Sequence, residues 1–285
     1  MKKKSKTCIH RIRKLRSEKH SFKEIAKILG ISVSTVYMYS KDIRVNRDWS
    51  IKRCKNIKKQ KGIDRSKVRL IGHCLWDGSI TPKRTGSYSI TYSNCSRKLI
   101  DLFILDMKRT YGINPTTIIR KKGKNIDYYI VYFCSRLVCE DLLNYTPTYS
   151  TANGAKFPKI IWKLDRNLKK EFIKTFWEDE GSINHYGKIK ASLKSKSILE
   201  KLDKLQQQFR ISSCVGFDKA TEVYYIYIRK NRNNLQAFWS LYPFEYAVIK
   251  RGKNVGRLRK DVFLENYERI LFPSSGDISG LRFES

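Results

Sequence analysis

The sequence predicts an α+β protein with two tandem αββαββ repeats, preceded by a small all-α domain. Two segments, Leu70–Ile80 (LIGHCLWDGSI) and Ile173–Ile183 (IKTFWEDEGSI), have the same construction: an apolar run that ends in an acid, a glycine and a serine. Their acids, Asp77 and Glu180, are 103 positions apart, which is about the length of one small domain. The helix and strand patterns after each segment follow the same order, and a separate helical pattern precedes them. The duplication predicts a pseudo-two-fold axis between two similar halves.

Residues 1–45 are predicted to form the all-α domain. In Ser21–Lys41 (SFKEIAKILGISVSTVYMYSK), Ser21 and Glu24 form a capping box, Gly30 allows a sharp turn and Ser32 caps a second helix. This spacing resembles a helix-turn-helix, and the alternative is an ordinary helical hairpin. The side chains predicted to point inward are Ile9, Ile12, Leu15, Ile25, Ile28, Leu29, Val33, Val36 and Tyr37. The recognition helix is predicted to present Ser34, Thr35, Tyr39 and Lys41 to DNA.

The charge of the chain predicts a polyanionic partner. Its 285 residues include 60 Lys and Arg against 26 Asp and Glu, a formal net charge of +34. A folded chain of that charge repels itself unless an anionic partner such as nucleic acid binds it. Residues 46–64 are rich in lysine and arginine and have no clear period, so they are predicted to form a basic linker that lies along phosphate.

The cysteines and the apolar runs indicate the compartment. The seven cysteines contain no C-x-x-C spacing, which is typical of reduced thiols and not of a disulfide framework or a zinc site. No apolar run reaches the roughly 18 residues of a membrane span, and no signal-peptide apolar region follows the basic N-terminus. We therefore expect a monomer in the cytoplasm or an organelle matrix, neither secreted nor membrane-bound. Because it begins with a basic helical module and lacks flanking splicing sequences, we expect a free-standing protein and not part of an intein.

The first repeat is predicted over residues 65–145, in the order helix, two strands, helix, two strands, helix. Ser87–Asn94 (SYSITYSN) alternates strictly, as a half-buried strand does, and Arg97–Tyr111 has apolar residues at helical spacing. The later strands are β-branched and aromatic and are joined by a basic turn. The predicted elements are helix 66–76, strand 87–94, helix 97–111, strands 116–120 and 126–133, and helix 137–143.

The second repeat is predicted over residues 165–245, after a connector at 146–164, and it follows the same order. Residues 246–285 are predicted to be a C-terminal extension with one helical segment at 262–271. The predicted elements of the repeat are helix 167–179, strand 188–195, helix 196–209, strands 214–218 and 223–229, and helix 231–242.

The strands indicate which sheet face meets the partner. In Lys188–Ser195, Ile189, Ala191 and Leu193 point one way and the intervening polar residues point the other. A sheet with helices on one face and Lys, Arg, Ser and Tyr on the other suits a DNA groove, whereas an ordinary solvated face is usually charge-mixed. The predicted DNA-binding residues are Lys188, Lys190, Ser192, Lys194, Tyr225, Tyr227 and Arg229, with Arg120 from the first repeat.

The ends of the two duplicated segments predict a metal site. Helices that pack side by side end at the same level, which brings Asp77 and Glu180 together, and a bound cation would relieve their repulsion. Hard divalent ions prefer carboxylate oxygens and can supply what phosphodiester cleavage requires. Gly78 and Gly181 would let each chain turn from helix into sheet and bring backbone carbonyls near the ions. Small residues at the helix crossing are predicted to be Gly72 and Thr175.

The two segments resemble the paired motifs of LAGLIDADG homing endonucleases. Leu70–Gly78 (LIGHCLWDG) fits the nine-letter motif at its first, third, eighth and ninth letters, and Ile173–Gly181 (IKTFWEDEG) resembles the common DAEG ending. The resemblance covers roughly residues 65–245. It implies a pseudo-two-fold β-sheet saddle, motif helices at the interface between repeats, and Mg²⁺ bound by one acid per repeat, here Asp77 and Glu180. It also implies a catalytic basic residue at the end of a late strand, for which Lys230 is the best match and Arg136 a poor one in the first repeat.

Some residues depart from the motif. Trp76, Lys174 and Glu178 are unlike its small or apolar consensus, and Lys174 predicts looser packing of the second helix. His73 and His185 are interpreted as structural or surface residues.

The implied function is a site-specific, metal-dependent double-stranded DNA endonuclease. Two alternatives are a LAGLIDADG-fold transcription regulator that no longer cleaves and an RNA-splicing maturase, whose partner would be structured RNA. Retention of both acids favours the enzyme over the regulator, and the sequence does not separate DNA cleavage from assistance to RNA folding.

Overall fold

The computed structural model describes residues 5–18, 20–43, 62–82, 88–184 and 186–271. The chain divides into two compact units, residues 1–55 and 56–285, and the boundary falls within the predicted basic linker. Most of that linker, residues 46–61, lies outside the described residues, as does His185.

The described part of the first unit contains three helices, α1 (Lys6–Ser17), α2 (Phe22–Leu29) and α3 (Val33–Ser40). The predicted capping box begins α2: the backbone N–H of Glu24 donates to the Ser21 hydroxyl (2.9 Å), and the Ser21 N–H donates to the Glu24 carboxylate (2.6 Å). Gly30 ends α2 with a φ of 62°, in the left-handed region that favours glycine. The start and the end of this helix were therefore predictable from local chemistry alone.

The core of the first unit differs from the predicted one on α3. Val36 is buried, and so is Ser40 one turn later, so the inward face of the helix runs through these two positions. Tyr37 lies about a quarter turn away and is exposed, whereas Tyr39 packs against the core. The prediction that Val33 and Tyr37 point inward is wrong, as is that for Ile28 on α2. The buried core consists of Ile12, Ile25, Ala26 and Val36.

The first repeat of the second unit has the predicted order of elements. Its sheet is antiparallel, with strand order β1-β2-β4-β3. The sequence pattern predicts two strands after the first helix, but it gives residue bounds only for the second of them. The first strand, β1, begins directly at the motif glycine, Gly78, and therefore has no separate pattern of its own. The elements are α4 (Arg65–Trp76), β1 (Gly78–Pro82), β2 (Tyr88–Asn94), α5 (Arg97–Tyr111), β3 (Thr117–Lys121), β4 (Tyr128–Phe133) and α6 (Arg136–Leu143).

The second repeat follows two short 3₁₀ segments, Thr151–Asn153 and Lys159–Lys163, and has the equivalent strand order β5-β6-β8-β7. Its first strand has only two residues, too few to show a period. The elements are α7 (Arg166–Asp179), β5 (Ser182–Ile183), β6 (Ile189–Leu193), α8 (Lys196–Gln207), β7 (Ser213–Asp218), β8 (Val223–Ile228), α9 (Arg232–Trp239) and α10 (Arg259–Leu271).

The two motif helices, α4 and α7, cross at the predicted small residues. A Cβ atom added to Gly72 would overlap the Thr175 hydroxyl and lie 2.9 Å from the Cβ of Thr175, so only glycine fits there. The Thr175 hydroxyl accepts from the indole N–H of Trp76 (3.1 Å). The looser packing predicted from Lys174 is wrong: its ammonium group pairs with Glu245, away from the crossing.

Both repeats and the segment after α9 share one hydrophobic core. The predicted C-terminal extension is part of that core and not an appendage, because four of its side chains are buried in it. Of the helices within the described ranges, none is long and apolar enough to cross a membrane. The four buried side chains are Ala247, Ile249, Val262 and Phe263.

Candidate functional site

The two predicted acids lie at the C-terminal ends of the crossed helices: Asp77 is the residue that ends α4, and Glu180 ends α7. The glycine after each acid lets the chain turn back against its own helix. A Cβ on Gly78 would lie 2.6 Å from the Cα of Cys74, and one on Gly181 would overlap the carbonyl oxygen of Trp177. The sequence pattern therefore has a steric basis at both ends, while a role of these glycines in metal binding stays a prediction.

The surroundings of Asp77 and Glu180 oppose their ionisation. Burial raises the pKa of Asp77 to about 6, and the negative charge of Asp179 adds to this effect. Burial also raises the pKa of Glu180 to about 8, with further contributions from the charges of Asp77 and Asp179. The positive charges of Lys250 and Arg259 act in the opposite direction on both acids. The charge of Asp77 thus acts on Glu180 across the two repeats, while a shared metal site of these two acids stays a prediction.

Two side chains hold the carboxylate of Asp77. The amide of Asn94, at the end of β2, donates to its Oδ2 atom (3.2 Å), and Lys250 Nζ approaches the same atom (3.4 Å). Lys250 lies in the segment between α9 and α10, 173 residues from Asp77 in sequence. No motif in the sequence marked Lys250, because its position depends on how the C-terminal segment packs.

A third acid, Asp179, lies buried between the repeats. Its carboxylate accepts from Tyr92 Oη (2.7 Å), from the Asn94 amide (3.2 Å) and from His73 Nδ1 (2.8 Å), all from the first repeat. Burial opposes protonation of His73, but the charges of Asp179, Glu178 and Asp106 outweigh it and raise its pKa. His73 is thus part of the contact between repeats, in keeping with a structural role.

Arg259, at the start of α10, binds the end of α7. Its Nη1 atom donates to the carbonyl oxygens of Trp177 (3.2 Å) and Glu178 (3.0 Å), which supplies donors to the C-terminal end of the helix. Burial raises the pKa of Glu178 to about 7, and the backbone N–H of Tyr246 donates to its carboxylate. The C-terminal segment therefore shapes the site through backbone as well as side-chain contacts.

The donor set at the helix ends fits a divalent cation. Asp77 and Glu180 offer hard carboxylate oxygens, and a cation would compensate the burial and the neighbouring negative charge that raise both pKa values. Within the ranges that the structure describes, no three His, Cys, Asp or Glu side chains form a complete ligand group. An ion held here would therefore take its other ligands from water or from phosphate oxygens.

The basic residue predicted at the end of a late strand makes a different contact. Lys230, just after β8, donates through Nζ to the carbonyl oxygen of Tyr186 (2.9 Å). Arg136, its poor counterpart in the first repeat, pairs with Glu140 one turn along α6. The lysine that contacts an acid of the site is Lys250.

The outer face of the second sheet has the predicted alternation. Ile189, Ala191 and Leu193 are buried, while Lys190 and Ser192 lie on the other face beside Tyr227 and Tyr225 of β8. The ammonium group of Lys190 lies 4.4 Å from the centre of the Tyr225 ring, and that of Lys188 lies 5.4 Å from the Tyr227 ring. Lys188, Lys194 and Arg229 are exposed just outside the strands. Cations and aromatic rings thus alternate on this face.

The first sheet contradicts the prediction for Arg120. Residues that lie opposite each other in an antiparallel pair share one face of the sheet. Arg120 lies opposite Tyr129, and Tyr129 lies opposite Asn94, whose side chain is on the face that packs against the helices. Arg120 also pairs with Asp127 (2.6 Å). Arg120 is therefore not on the outer face of the first sheet, where Lys121 lies. That outer face is lined mainly by hydroxyl groups, whereas the outer face of the second sheet is basic. The hydroxyl residues on it are Ser79, Thr81, Ser89, Thr91, Ser93, Thr117, Tyr128 and Tyr132.

The recognition helix α3 presents only part of the predicted set. Ser34 and Lys41 are exposed, as predicted. Tyr39 is half-buried and packs against the core of the first unit, so its contact with DNA stays a prediction. Thr35 is half-buried, with its hydroxyl 2.8 Å from that of Ser32.

Comparisons with known proteins agree with this architecture. Residues 2–42 match the family model described as the helix-turn-helix domain of resolvase, which confirms that prediction. The core is similar to the homing endonuclease I-WcaI bound to its DNA recognition sequence, with 14% identity and a TM-score of 0.52, over 75% of this chain and 96% of that one. The described core thus has the LAGLIDADG fold that its motifs predicted.

Two further structures are less similar. I-DmoI in complex with DNA and Mn has 16% identity and a TM-score of 0.47, over 62% of this chain and 96% of that one. Full-length DUF199/WhiA from Thermatoga maritima has 15% identity and a TM-score of 0.43, over 82% of this chain and 71% of that one. No curated protein sequence matches the chain.

Proposed function

We propose that this chain, whose core has the LAGLIDADG fold, is a site-specific, divalent-metal-dependent endonuclease of double-stranded DNA, of the homing type. One observation carries the proposal: two half-buried carboxylates, one from each repeat, lie at the ends of crossed helices, and burial together with neighbouring negative charge raises the pKa of each. Buried like charges are costly unless a cation or a proton compensates them. A protein that only bound DNA would have no use for such a pair.

Duplex DNA is the proposed partner because of charge and shape together. The chain has a formal net charge of +34, and the outer face of the second sheet alternates lysine with tyrosine, side chains that bind phosphate and base edges. The similar structure of I-WcaI was solved on its DNA recognition sequence.

The residues of the site have separate tasks in this proposal. Asp77 and Glu180 would hold the cation, which would supply activation of water and stabilisation of the leaving oxygen in phosphodiester cleavage. Asn94 fixes the orientation of the Asp77 carboxylate through its amide. Lys250 is the positive side chain available to neutralise phosphate at the site. Arg259 keeps the end of α7, and with it Glu180, in place.

The test compares binding with cleavage in the full chain. Duplexes that bind would be selected from a randomised library, and their cleavage measured with Mg²⁺ and with EDTA. We expect Asp77→Asn and Glu180→Gln to abolish Mg²⁺-dependent cleavage while binding in EDTA is retained, because each removes a metal ligand and leaves the basic sheet unchanged.

Asp101→Asn, the same exchange at an exposed position of α5, is the matched control and should cleave like the wild type. Full cleavage by the Asp77→Asn/Glu180→Gln double variant would disprove the proposed site. Tight binding by a wild-type protein that never cleaves would identify the chain as a non-catalytic regulator.

A further inference from the structure

The recognition helix of the first unit exposes an apolar face. Val33 is 43% exposed, Tyr37 55% and Met38 41%, and Ser34 and Lys41 are exposed beside them. These five positions follow the spacing i, i+1, i+4, i+5 and i+8, so they lie on one side of α3 over two turns. The inward side is defined separately by Val36 and Ser40. The apolar residues are therefore a continuous surface of the helix and not scattered exceptions.

This face is built to hold its shape. The ring of Tyr37 packs edge-on against Phe22 at the start of α2, with 5.5 Å between ring centres. The Ser32 hydroxyl accepts from the backbone N–H of Thr35 and caps the helix just before the face begins. Fixed apolar side chains lose little conformational freedom on binding, which favours their use in recognition.

The surroundings of the face specify an anionic partner. Within the described part of the first unit, six exposed cations outnumber three exposed acids, and one of these acids, Asp42, is paired with Arg13. We therefore expect a partner that carries negative charge together with apolar groups that one helix can reach. The major groove of duplex DNA has both, because thymine methyl groups lie there between two phosphate backbones. The exposed cations are Arg11, Arg13, Lys14, Lys23, Lys27 and Lys41, and the exposed acids are Glu18, Glu24 and Asp42.

We propose that α3 recognises thymine-rich duplex DNA through the methyl groups of thymine, with Val33 and Met38 as the principal contacts. The side chains that make bidentate contacts with guanine or adenine are Arg, Lys, Asn and Gln. Of these types the exposed face offers only Lys41, at its C-terminal end, so most of its sequence preference must come from apolar contact. The inference rests on the proposed function only in taking duplex DNA as the partner, and it does not require cleavage.

The test removes the methyl groups without changing any base-pair hydrogen bond. Duplexes that bind the full chain in EDTA would first be selected from a randomised library. Footprinting of the wild type and of Val33→Ala/Met38→Ala would then identify the bases that only the wild type protects. The selected duplex would finally be prepared with deoxyuridine in place of thymine at those bases. We expect thymine enrichment at those bases, and a loss of affinity of about fourfold for each contacted methyl group, from roughly 0.8 kcal/mol per buried carbon. The variant should show no such loss, because it lacks the contacting side chains.

Ile28→Ala is the matched control, since Ile28 is an exposed apolar residue of α2 outside this face. It should retain the deoxyuridine effect. The inference is overturned if deoxyuridine does not change the affinity of the wild type, or if the selected segment is rich in G·C pairs. It is also overturned if the wild type forms a dimer that the Val33→Ala/Met38→Ala variant does not form, because the face would then mediate self-association. If deoxyuridine lowers the affinity of a protein that does not cleave DNA, the proposed endonuclease activity is disproved and this inference is supported.

Discussion

Asp179 breaks the symmetry of the site at the level of single residues. It occupies the position in the second motif that Trp76 occupies in the first, and it is the acid that receives hydrogen bonds from His73, Tyr92 and Asn94. Asn94 also donates to Asp77, so one amide joins an acid from each repeat. The two halves therefore share a sequence pattern but differ in how their acids are held.

The raised pKa values predict a pH dependence of stability without metal. The pKa of Asp77 is raised from 3.8 to about 6, and that of Glu180 from 4.5 to about 8. On raising the pH, the unfolded chain loses these protons first, so the free energy of unfolding should fall between about pH 4 and pH 8 and stay low above that. Each acid contributes at most roughly 1.4 kcal/mol per pH unit within its own interval.

The measurement is thermal unfolding in EDTA across this range, for the wild type and for Asp77→Asn/Glu180→Gln. The double variant should melt higher than the wild type at pH 8, and the difference should vanish near pH 4, where both acids are protonated in either state. Adding Mg²⁺ should raise the melting temperature of the wild type alone. A difference that does not change with pH would contradict the assignment of the shifts to these acids.

At the scale of elements, the crossing of α4 and α7 places the acids. Gly72→Ala should destabilise the core by roughly 1–3 kcal/mol or more, because the added Cβ overlaps the Thr175 side chain. Thr175→Ala in the same chain should restore part of the loss by removing the hydroxyl and methyl groups. Urea denaturation measures both changes.

Gly62→Ala is the control, since a Cβ there meets no neighbouring atom within 4 Å. Equal stability of Gly72→Ala and Gly62→Ala would mean that the helices can separate without cost, and that their crossing does not determine the site.

The second sheet should supply part of the electrostatic binding energy. Replacing Lys188, Lys190 and Lys194 by Ala removes three candidate phosphate contacts, and each contact contributes about 0.9 to the slope of log affinity against log salt for duplex DNA. The slope should shrink by up to roughly 2.7. The alternating Ile189 and Leu193 side chains stay buried, so the sheet should remain folded.

The control removes the same charge from the helical side, with Lys108, Lys201 and Lys204 replaced by Ala, all of which are exposed on α5 or α8. It should change the slope much less. Equal changes in the two triple variants would show that total charge, and not the face of the second sheet, governs binding.

At the scale of the whole molecule, the chain consists of two separate compact units joined by a basic segment. Deleting residues 1–45 should weaken DNA affinity and shorten the protected footprint, while the core still cleaves at high enzyme concentration. A tethered second site raises the effective concentration of the first without changing its chemistry. Footprinting and cleavage of one selected duplex by both proteins measure this, and an unchanged footprint would exclude DNA contact by the first unit.

Periodicity, caps and duplication were sufficient to predict most elements and the two acids. The start and end of α2 follow from Ser21, Glu24 and Gly30, and the inward face of β6 follows from strict alternation. The pairing of Asp77 with Glu180 follows from two similar helices with small residues at their crossing. Each of these properties depends on residues within a few turns of one another, or on a repeat of the same local pattern, so the sequence by itself determined them.

Only the tertiary structure decided which distant groups complete the site and which faces are free. Lys250 and Arg259 reach α4 and α7 because the segment that bears them packs into the core of the second repeat. Arg120 lies on the helix side of the first sheet, and Tyr37 lies on the exposed side of α3, since strand register and helix rotation are set by contacts with other elements. The local pattern determines the period of a helix or strand. The rotation of that element and the elements it packs against are instead determined by the lowest energy of the whole core.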